Sequence, residues 1–338
     1  MQDCLIPPQW EHHKYTILAY PINQELWDAR LISVQKEFIN FCIELLKSNE
    51  NLKILFQNDH DLINITAILN NNNIEYIKIP YDDIWIKDTG PIFTKNKNNI
   101  VYAHTFNFNG WGNKYLYKHD LNIGNNISKI FNLNISKNKY ILEGGSIEAD
   151  GRGTCLTTKQ CLLNKNRNPQ LKQIDIETNL KNELGLKNIL WIDSGLYGDH
   201  TDGHIDTLAR FIAPGQIICM YAKYKTDPNY YTLKNNITKL KKFKDITGKY
   251  FDIIEIESPG VIRNYKGKIM PASYINFYHA NNSVIIPNFN NNINETTLDI
   301  LSKYSKKRIV TLAAENILTG GGTFNCITLQ IPSGDNID

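Results

Sequence analysis

The chain has 338 residues, with 37 Lys plus Arg against 34 Asp plus Glu, a formal charge of +3 and 42% hydrophobic residues. That near-balance gives no electrostatic case for nucleic acid or an anionic membrane surface, and the apolar content is too high for a disordered chain. No stretch approaches the roughly 20 apolar residues of a membrane span, the N-terminal MQDCLIPPQWEHHKY lacks the apolar core of a secretory signal, and six cysteines in so long a chain are no disulfide framework, so a cytoplasmic location is expected.

Residues 15–20 (YTILAY) form a short apolar run closed by Pro21 and read as a strand. Across residues 25–47, Leu26, Leu31, Val34, Phe38, Phe41 and Leu45 recur near a 3.6-residue period, which predicts one long amphipathic helix. A strand is expected at 52–56, a helix at 59–69, and an alternating strand at 74–79 before Pro80. Farther on, strands are expected at 140–142, 188–192, 283–286 and 308–312, and helices at 174–184, 233–243 and 294–304. This alternation is an α/β pattern. With no linker or charge block to divide it, one domain over residues 1–338 is expected.

Four polar groups interrupt the apolar pattern. The first is Asp82-Asp83-Ile84-Trp85-Ile86-Lys87-Asp88-Thr89-Gly90-Pro91. It reads as a strand end, where carboxylates beside an aromatic face suit a cation; the bland alternative is a solvated strand end with Trp85 in the core. The second is Glu143-Gly144-Gly145-Ser146, where paired glycines permit a sharp turn or close approach, followed by a hairpin-turn signal at Asp150-Gly151-Arg152-Gly153. The third holds Asp199, His200, Asp202, His204 and Asp206. If residues 204–211 form a strand, His204 and Asp206 share a face and are equipped for proton transfer; the same residues could instead hold a metal. The fourth is Gly320-Gly321-Gly322 followed by Cys326. A lone cysteine on an apolar strand is usually core, and Cys4, Cys42, Cys155, Cys161 and Cys219 read that way. Cys326 differs in its glycine-rich approach.

The spacings are 55 residues from Asp88 to Glu143, 61 to His204, and 122, twice 61, to Cys326. They hint at repeats of one size, each sending a loop to a common centre. The combined residue set suits substitution at a guanidinium carbon. Carboxylates hold the permanently charged fork, a thiolate attacks, and an imidazolium protonates the departing nitrogen.

Taken with Gln9-Trp10-Glu11-His12, Phe108-Asn109-Gly110-Trp111-Gly112 and Gly203-His204-Ile205-Asp206, these motifs resemble the agmatine deiminase family, related to bacterial peptidylarginine deiminases, in the same order over nearly the whole chain. The resemblance implies a five-bladed α/β propeller of ββαβ units, a cytoplasmic hydrolase of agmatine in polyamine and putrescine biosynthesis, and no cofactor or metal. It assigns Cys326 as nucleophile, His204 as general acid and base, Glu143 as its orienting partner, Asp88 and Asp206 as the guanidinium clamp, and Trp85, Trp111 and Asp83 to the substrate channel. Lys87, where the family usually has Arg, and Asn325, where it usually has His, are departures. Acidic and aromatic walls with no Arg among Asp82, Asp83, Trp85 and Trp111 favour agmatine over arginine. The expected partner is therefore a small guanidine, with no nucleic acid or membrane and homo-oligomerisation left open. Competing readings are a deiminase of peptidyl or free arginine, a metal-dependent ureohydrolase using His200, Asp202, His204 and Asp206, and a non-catalytic guanidinium-binding protein.

Overall fold

The structure, a computed structural model, describes residues 4–115, 118–289 and 293–337. Its architecture is mixed α/β, and one topology recurs along the chain. In each unit a strand pairs antiparallel with the next, a helix follows, and a third strand returns parallel to the second.

Strands β1 (His13–Ala19), β2 (Leu52–Phe56) and β3 (Ile74–Lys78) lie parallel, side by side. The next sheet joins β4 (Ile92–Lys95), β5 (Val101–Asn107) and β6 (Asn134–Ile141). It is followed by β7 (Ile147–Ala149), β8 (Thr154–Thr158) and β9 (Asn188–Ile192), then by β10 (Ala209–Ala213), β11 (Gln216–Tyr221) and β12 (Asp252–Glu257). After a small hairpin, β13 (Ile262–Arg263) and β14 (Ile269–Met270), come β15 (Tyr278–His279), β16 (Ser283–Asn288) and β17 (Arg308–Ala313). Strand β18 (Leu329–Pro332) returns to the first sheet antiparallel to β1. The end of the chain thus supplies the leading strand of the first unit, and five sheets share the antiparallel-then-parallel order among the described residues.

A parallel neighbour requires a crossover, and helices supply it. They are α1 (Leu31–Lys47), α2 (Asp59–Thr66), α3 (Ile123–Ile130), α4 (Gln173–Leu184), α5 (Tyr230–Leu240) and α6 (Glu295–Ser305). In α1, Val34, Phe38, Phe41, Cys42 and Leu45 are buried as one stripe. Phe41 stacks on Phe324 at 4.4 Å between ring centroids, which ties this helix to the loop that carries Cys326.

Two expectations about local structure are corrected. The helix predicted over residues 25–47 is broken: a turn at Gln24–Trp27, capped by the Asn23 side chain, ends at Asp28 with φ of 54°, and a 3₁₀ turn precedes α1. The break lets the Trp27 indole turn inward to donate to Asp83 Oδ1 at 3.1 Å. The strand expected at 204–211 begins only at Ala209, because residues 205–207 form a 3₁₀ turn. The hairpin read at residues 150–153 does join β7 to β8.

Candidate active site

A loop precedes the first strand of every unit, and these loops meet. Asp88 lies four residues before β4, Glu143 four before β7, Asp206 three before β10, Asn276 two before β15 and Cys326 three before β18. Direct hydrogen bonds join them. The Gly145 N–H donates to Asp88 Oδ1 at 2.8 Å, Asn276 and Asn325 Nδ2 donate to Asp206 Oδ2 at 3.1 and 2.7 Å, and the Lys87 N–H donates to the Cys326 carbonyl at 3.2 Å. The regular spacing of the sequence motifs is the spacing of these loops.

Asp88 sits in a single helical turn, Ile86–Thr89, and not at a strand end. Its second oxygen accepts from the Trp111 indole at 2.9 Å. Trp111 reaches it from a tight turn in which Gly110, Trp111 and Gly112 all have positive φ and the Asn109 side chain accepts from the Gly112 N–H. Burial raises the Asp88 carboxyl above its usual range, aided by Asp206 and Glu143, while His204 and the indole pull it down.

His204 is 1% exposed, and its two ring nitrogens lie 3.7 Å from Asp88 Oδ1 and from Glu143 Oε2. These are ion pairs longer than hydrogen bonds. Burial opposes an imidazolium here, but Asp88, Cys161 and Glu143 outweigh it and hold the ring well above its usual pKa. The proximity of His204 to Asp206 comes from the 3₁₀ turn, which Thr207 fixes by donating its hydroxyl to the His204 carbonyl; strand alternation plays no part.

Glu143 is fully buried and accepts from Arg167 Nε through both oxygens at 2.9 Å. Burial alone would raise it, yet the Arg167 guanidinium and His204 keep it below the usual carboxylate range. Arg167 also donates to Asp202, Asn166 and the Thr201 carbonyl.

Cys326 lies in a turn three residues before β18. Its Sγ is 3.3 Å from Asn276 Oδ1 and 3.6 Å from Asp206 Oδ2. Asn276 also accepts from the Thr323 N–H and hydroxyl, which fixes the turn. Burial, then the Asp206 and Asp88 charges, push the thiol well above its usual pKa. Both directions favour a protonated thiol beside a protonated imidazole in the free site.

The glycines are explained by close approach. A Cβ on Gly145 would stand 2.6 Å from His204 Nδ1 and 2.9 Å from Asp88 Oδ1, and one on Gly322 would stand 2.8 Å from Cys326 Sγ and from Trp85.

Cys326, His204, Asp88 and Asp206 face a cavity of about 150 Å³ with Asp83, Trp85, Trp111, Trp27, Tyr115, Asp199 and His200 on its walls. Among the described residues no Lys or Arg lines it. Glu143 stands behind His204, outside that lining. Asp83 accepts the indole N–H of both Trp27 and Trp85, so its carboxylate anchors the aromatic wall; burial raises it to about 6. Asp82 turns away and accepts from the backbone N–H groups of His119 and Asp120. Arg152 stands beside Asp150, Arg263 donates to the Gly267 carbonyl, and Arg167 is held by Glu143 and Asp202, so none of them lines the cavity. Lys87 lines a separate pocket with Gln9, His12 and His13.

The metal set read from the sequence does not assemble. His200 Nδ1 bonds Tyr115 OH at 2.6 Å, and Asp202 is held by Lys114, Arg167 and Asn166. Sequence reasoning missed Asn276, Arg167 and Trp27 as members of the site. Asn276 is one asparagine among many, with no glycine or acidic neighbour to mark it.

The profile of the Porphyromonas-type peptidyl-arginine deiminase family matches residues 5–332. A Legionella pneumophila (strain Paris) protein named "Putative agmatine deiminase" is 35% identical over 333 residues, covering 97% of this chain and 95% of that protein. A C. jejuni agmatine deiminase, solved as a Cys-to-Ser variant with substrate bound, is 32% identical with a TM-score of 0.89 and covers 98% of this chain and 97% of its own. The agmatine deiminase of Enterococcus faecalis is 26% identical with a TM-score of 0.92, covering 98% of this chain and 96% of its own. The chain belongs to the Porphyromonas-type peptidyl-arginine deiminase family.

Proposed function

We propose that this member of the family is an agmatine deiminase, a cysteine-dependent hydrolase that converts agmatine and water to N-carbamoylputrescine and ammonia without a cofactor. The observation that carries the reading is the cavity itself: a thiol 3.6 Å from a buried carboxylate, in a wall that holds four aspartates and, among the described residues, no Lys or Arg. The names of the relatives support the substrate, and the Cys-to-Ser variant with substrate bound supports a cysteine as the reacting group.

The guanidinium enters between Asp88 and Asp206, which pair with its N–H groups. Burial and the two carboxylates keep Cys326 protonated in the free site; the positive charge of the substrate offsets the carboxylates, and the thiol loses its proton to solvent as substrate binds. The thiolate attacks the guanidinium carbon, and a carbon–sulfur bond forms. His204, already an imidazolium, gives its proton to a terminal nitrogen, and that carbon–nitrogen bond breaks to release ammonia. The amidino group remains on Cys326. Neutral His204 then takes a proton from water as the water oxygen adds to the same carbon. The carbon–sulfur bond breaks, the departing thiolate takes up the proton of the added hydroxyl as the carbonyl forms, and the neutral thiol and the ureido product separate. Glu143, held ionised by Arg167, keeps the imidazole oriented and favours its charged form.

In this reading the five sheets are the blades of a propeller with the site on its axis, and residues 1–338 form one domain. The recurring strand order and the five converging loops support it. A cytoplasmic enzyme with six unpaired cysteines fits the chemistry, and hydrolysis of the product's ureido group would give putrescine for polyamine synthesis. No helix among the described residues is long and apolar enough to cross a membrane.

The test is ammonia release from agmatine, free arginine and a peptide with C-terminal arginine. No Lys or Arg among the described residues lines the cavity to pair with an α-carboxylate, and four aspartates there oppose one, so agmatine should lead by about 10²-fold or more in kcat/KM. Equal or better use of arginine or the peptide would overturn the substrate assignment.

A further inference from the structure

One cysteine beside the site has no part in the proposed reaction. Cys161 lies on the short helix Lys159–Leu162, where the Thr158 hydroxyl caps its N–H at 3.1 Å. Its Sγ is 3.9 Å from Glu143 Oε2. That oxygen is in turn 3.7 Å from His204 Nε2, and the three donor atoms all lie within 4.8 Å of one another. Both ring nitrogens of His204 are buried without a hydrogen-bond partner, so the imidazole that points into this triangle is unsatisfied. Among the described residues this is the one group of three His, Cys, Asp or Glu side chains close enough to share a metal ion.

We propose that Glu143, Cys161 and His204 form an inhibitory site for a soft divalent cation, with zinc as its best match. An ion at the centre of the triangle would stand roughly 2.2–2.5 Å from each donor, against about 2.0–2.3 Å in zinc sites. One sulfur, one imidazole nitrogen and one carboxylate oxygen make a donor set that zinc accepts and magnesium or calcium does not. Charge does not oppose the exchange. The ion displaces one proton from the Cys161 thiol and one from the His204 imidazolium, so the net charge beside Arg167 is unchanged. The bound ion takes the imidazole lone pair that would accept a proton from water, which stops turnover. The inhibitory consequence rests on the function proposed above; occupancy of the site does not.

The test therefore reads binding and activity separately. Cobalt(II) added to Cys326→Ser protein should give the near-ultraviolet absorption of a thiolate–metal bond, and Cys326→Ser/Cys161→Ser protein should lack it. As a check that needs no change at Cys161, X-ray absorption of zinc-loaded Cys326→Ser protein should show one sulfur at about 2.3 Å together with nitrogen and oxygen neighbours. A shell of nitrogen and oxygen alone, or a band in the wild type that vanishes in Cys326→Ser, would place the metal elsewhere and overturn the proposal. In ammonia-release assays, Cys161→Ser should need at least about tenfold more zinc for half-inhibition, since loss of even an outer-shell partner of a metal ligand costs about that much affinity. Unchanged sensitivity would overturn the inhibitory role while leaving the deiminase reading intact.

Discussion

Replacing Arg167 with Met should be among the costliest single changes near the site. Arg167 and Glu143 are both fully buried in their side chains, joined by the 2.9 Å pairing of Nε with both carboxylate oxygens. Removing one member of a buried pair leaves the other uncompensated, at about 3–5 kcal/mol. For a chain of this length, with an unfolding entropy of about 2.1 cal/mol/K per residue, that is a fall of roughly 4–7 °C in Tm. Arg167 helps to hold Glu143 below the usual carboxylate range. A group so depressed contributes stability above its unfolded pKa, about 4.3 for Glu, and loses it as pH falls through the folded value. The gap between wild type and variant should therefore be widest near neutrality and close in acid. Glu143→Gln/Arg167→Met removes both charges and should recover part of the loss, giving a positive coupling in a double-mutant cycle. Calorimetry of the four proteins at pH 7 and at acid pH is the assay. A single-variant loss under about 1 kcal/mol at pH 7, or a gap that widens in acid, would refute the reasoning.

Four further outcomes follow from the geometry. Asn276→Ala removes the contacts to Cys326 Sγ, Asp206 and Thr323; kcat/KM should fall about 10- to 150-fold, the range for one to two hydrogen bonds to charged or reacting groups, and steady-state kinetics on the folded variant would measure it. Gly145→Ala presses a methyl against His204 and Asp88 and should lower kcat by on the order of 10²-fold with little change in the circular dichroism spectrum. Asp206→Asn removes a charge that raises the Cys326 thiol, so iodoacetamide should alkylate the substrate-free variant faster than wild type at pH 8 even though turnover is lost; slower alkylation would contradict the stated sign. Exhaustive chelation should leave ammonia release unchanged, whereas activity lost and restored by manganese would return the ureohydrolase reading.

How much of this was legible in the sequence depended on whether a residue's neighbours constrained it. Cys326, Glu143 and Asp88 stood out because glycines or a Trp–Asp cluster flank them, and the close approaches at Gly145 and Gly322 are the physical cause of those glycines. The long helices were legible from periodicity; α4 and α6 begin within one residue of where the pattern begins. Backbone conformation at the loops was not. Nothing in a residue count distinguishes a 3₁₀ turn at Ile205–Thr207 from the start of a strand, or announces a positive φ at Asp28. Asn276 acts through tertiary placement alone, and Arg167 could be placed only once Glu143 had been shown to need a buried counter-charge. The repeated topology surfaced in the sequence as a spacing because each unit keeps its length while its side chains diverge.

The central claim is a covalent intermediate on Cys326. Wild-type protein mixed with agmatine, quenched in acid within the first turnovers and digested, should yield a peptide containing Cys326 heavier by the mass of agmatine less ammonia. The Cys161 and Cys155 peptides should be unmodified, and Cys326→Ser protein should neither form the adduct nor release ammonia. Ammonia release by Cys326→Ser protein, or an adduct on another residue, would contradict the account.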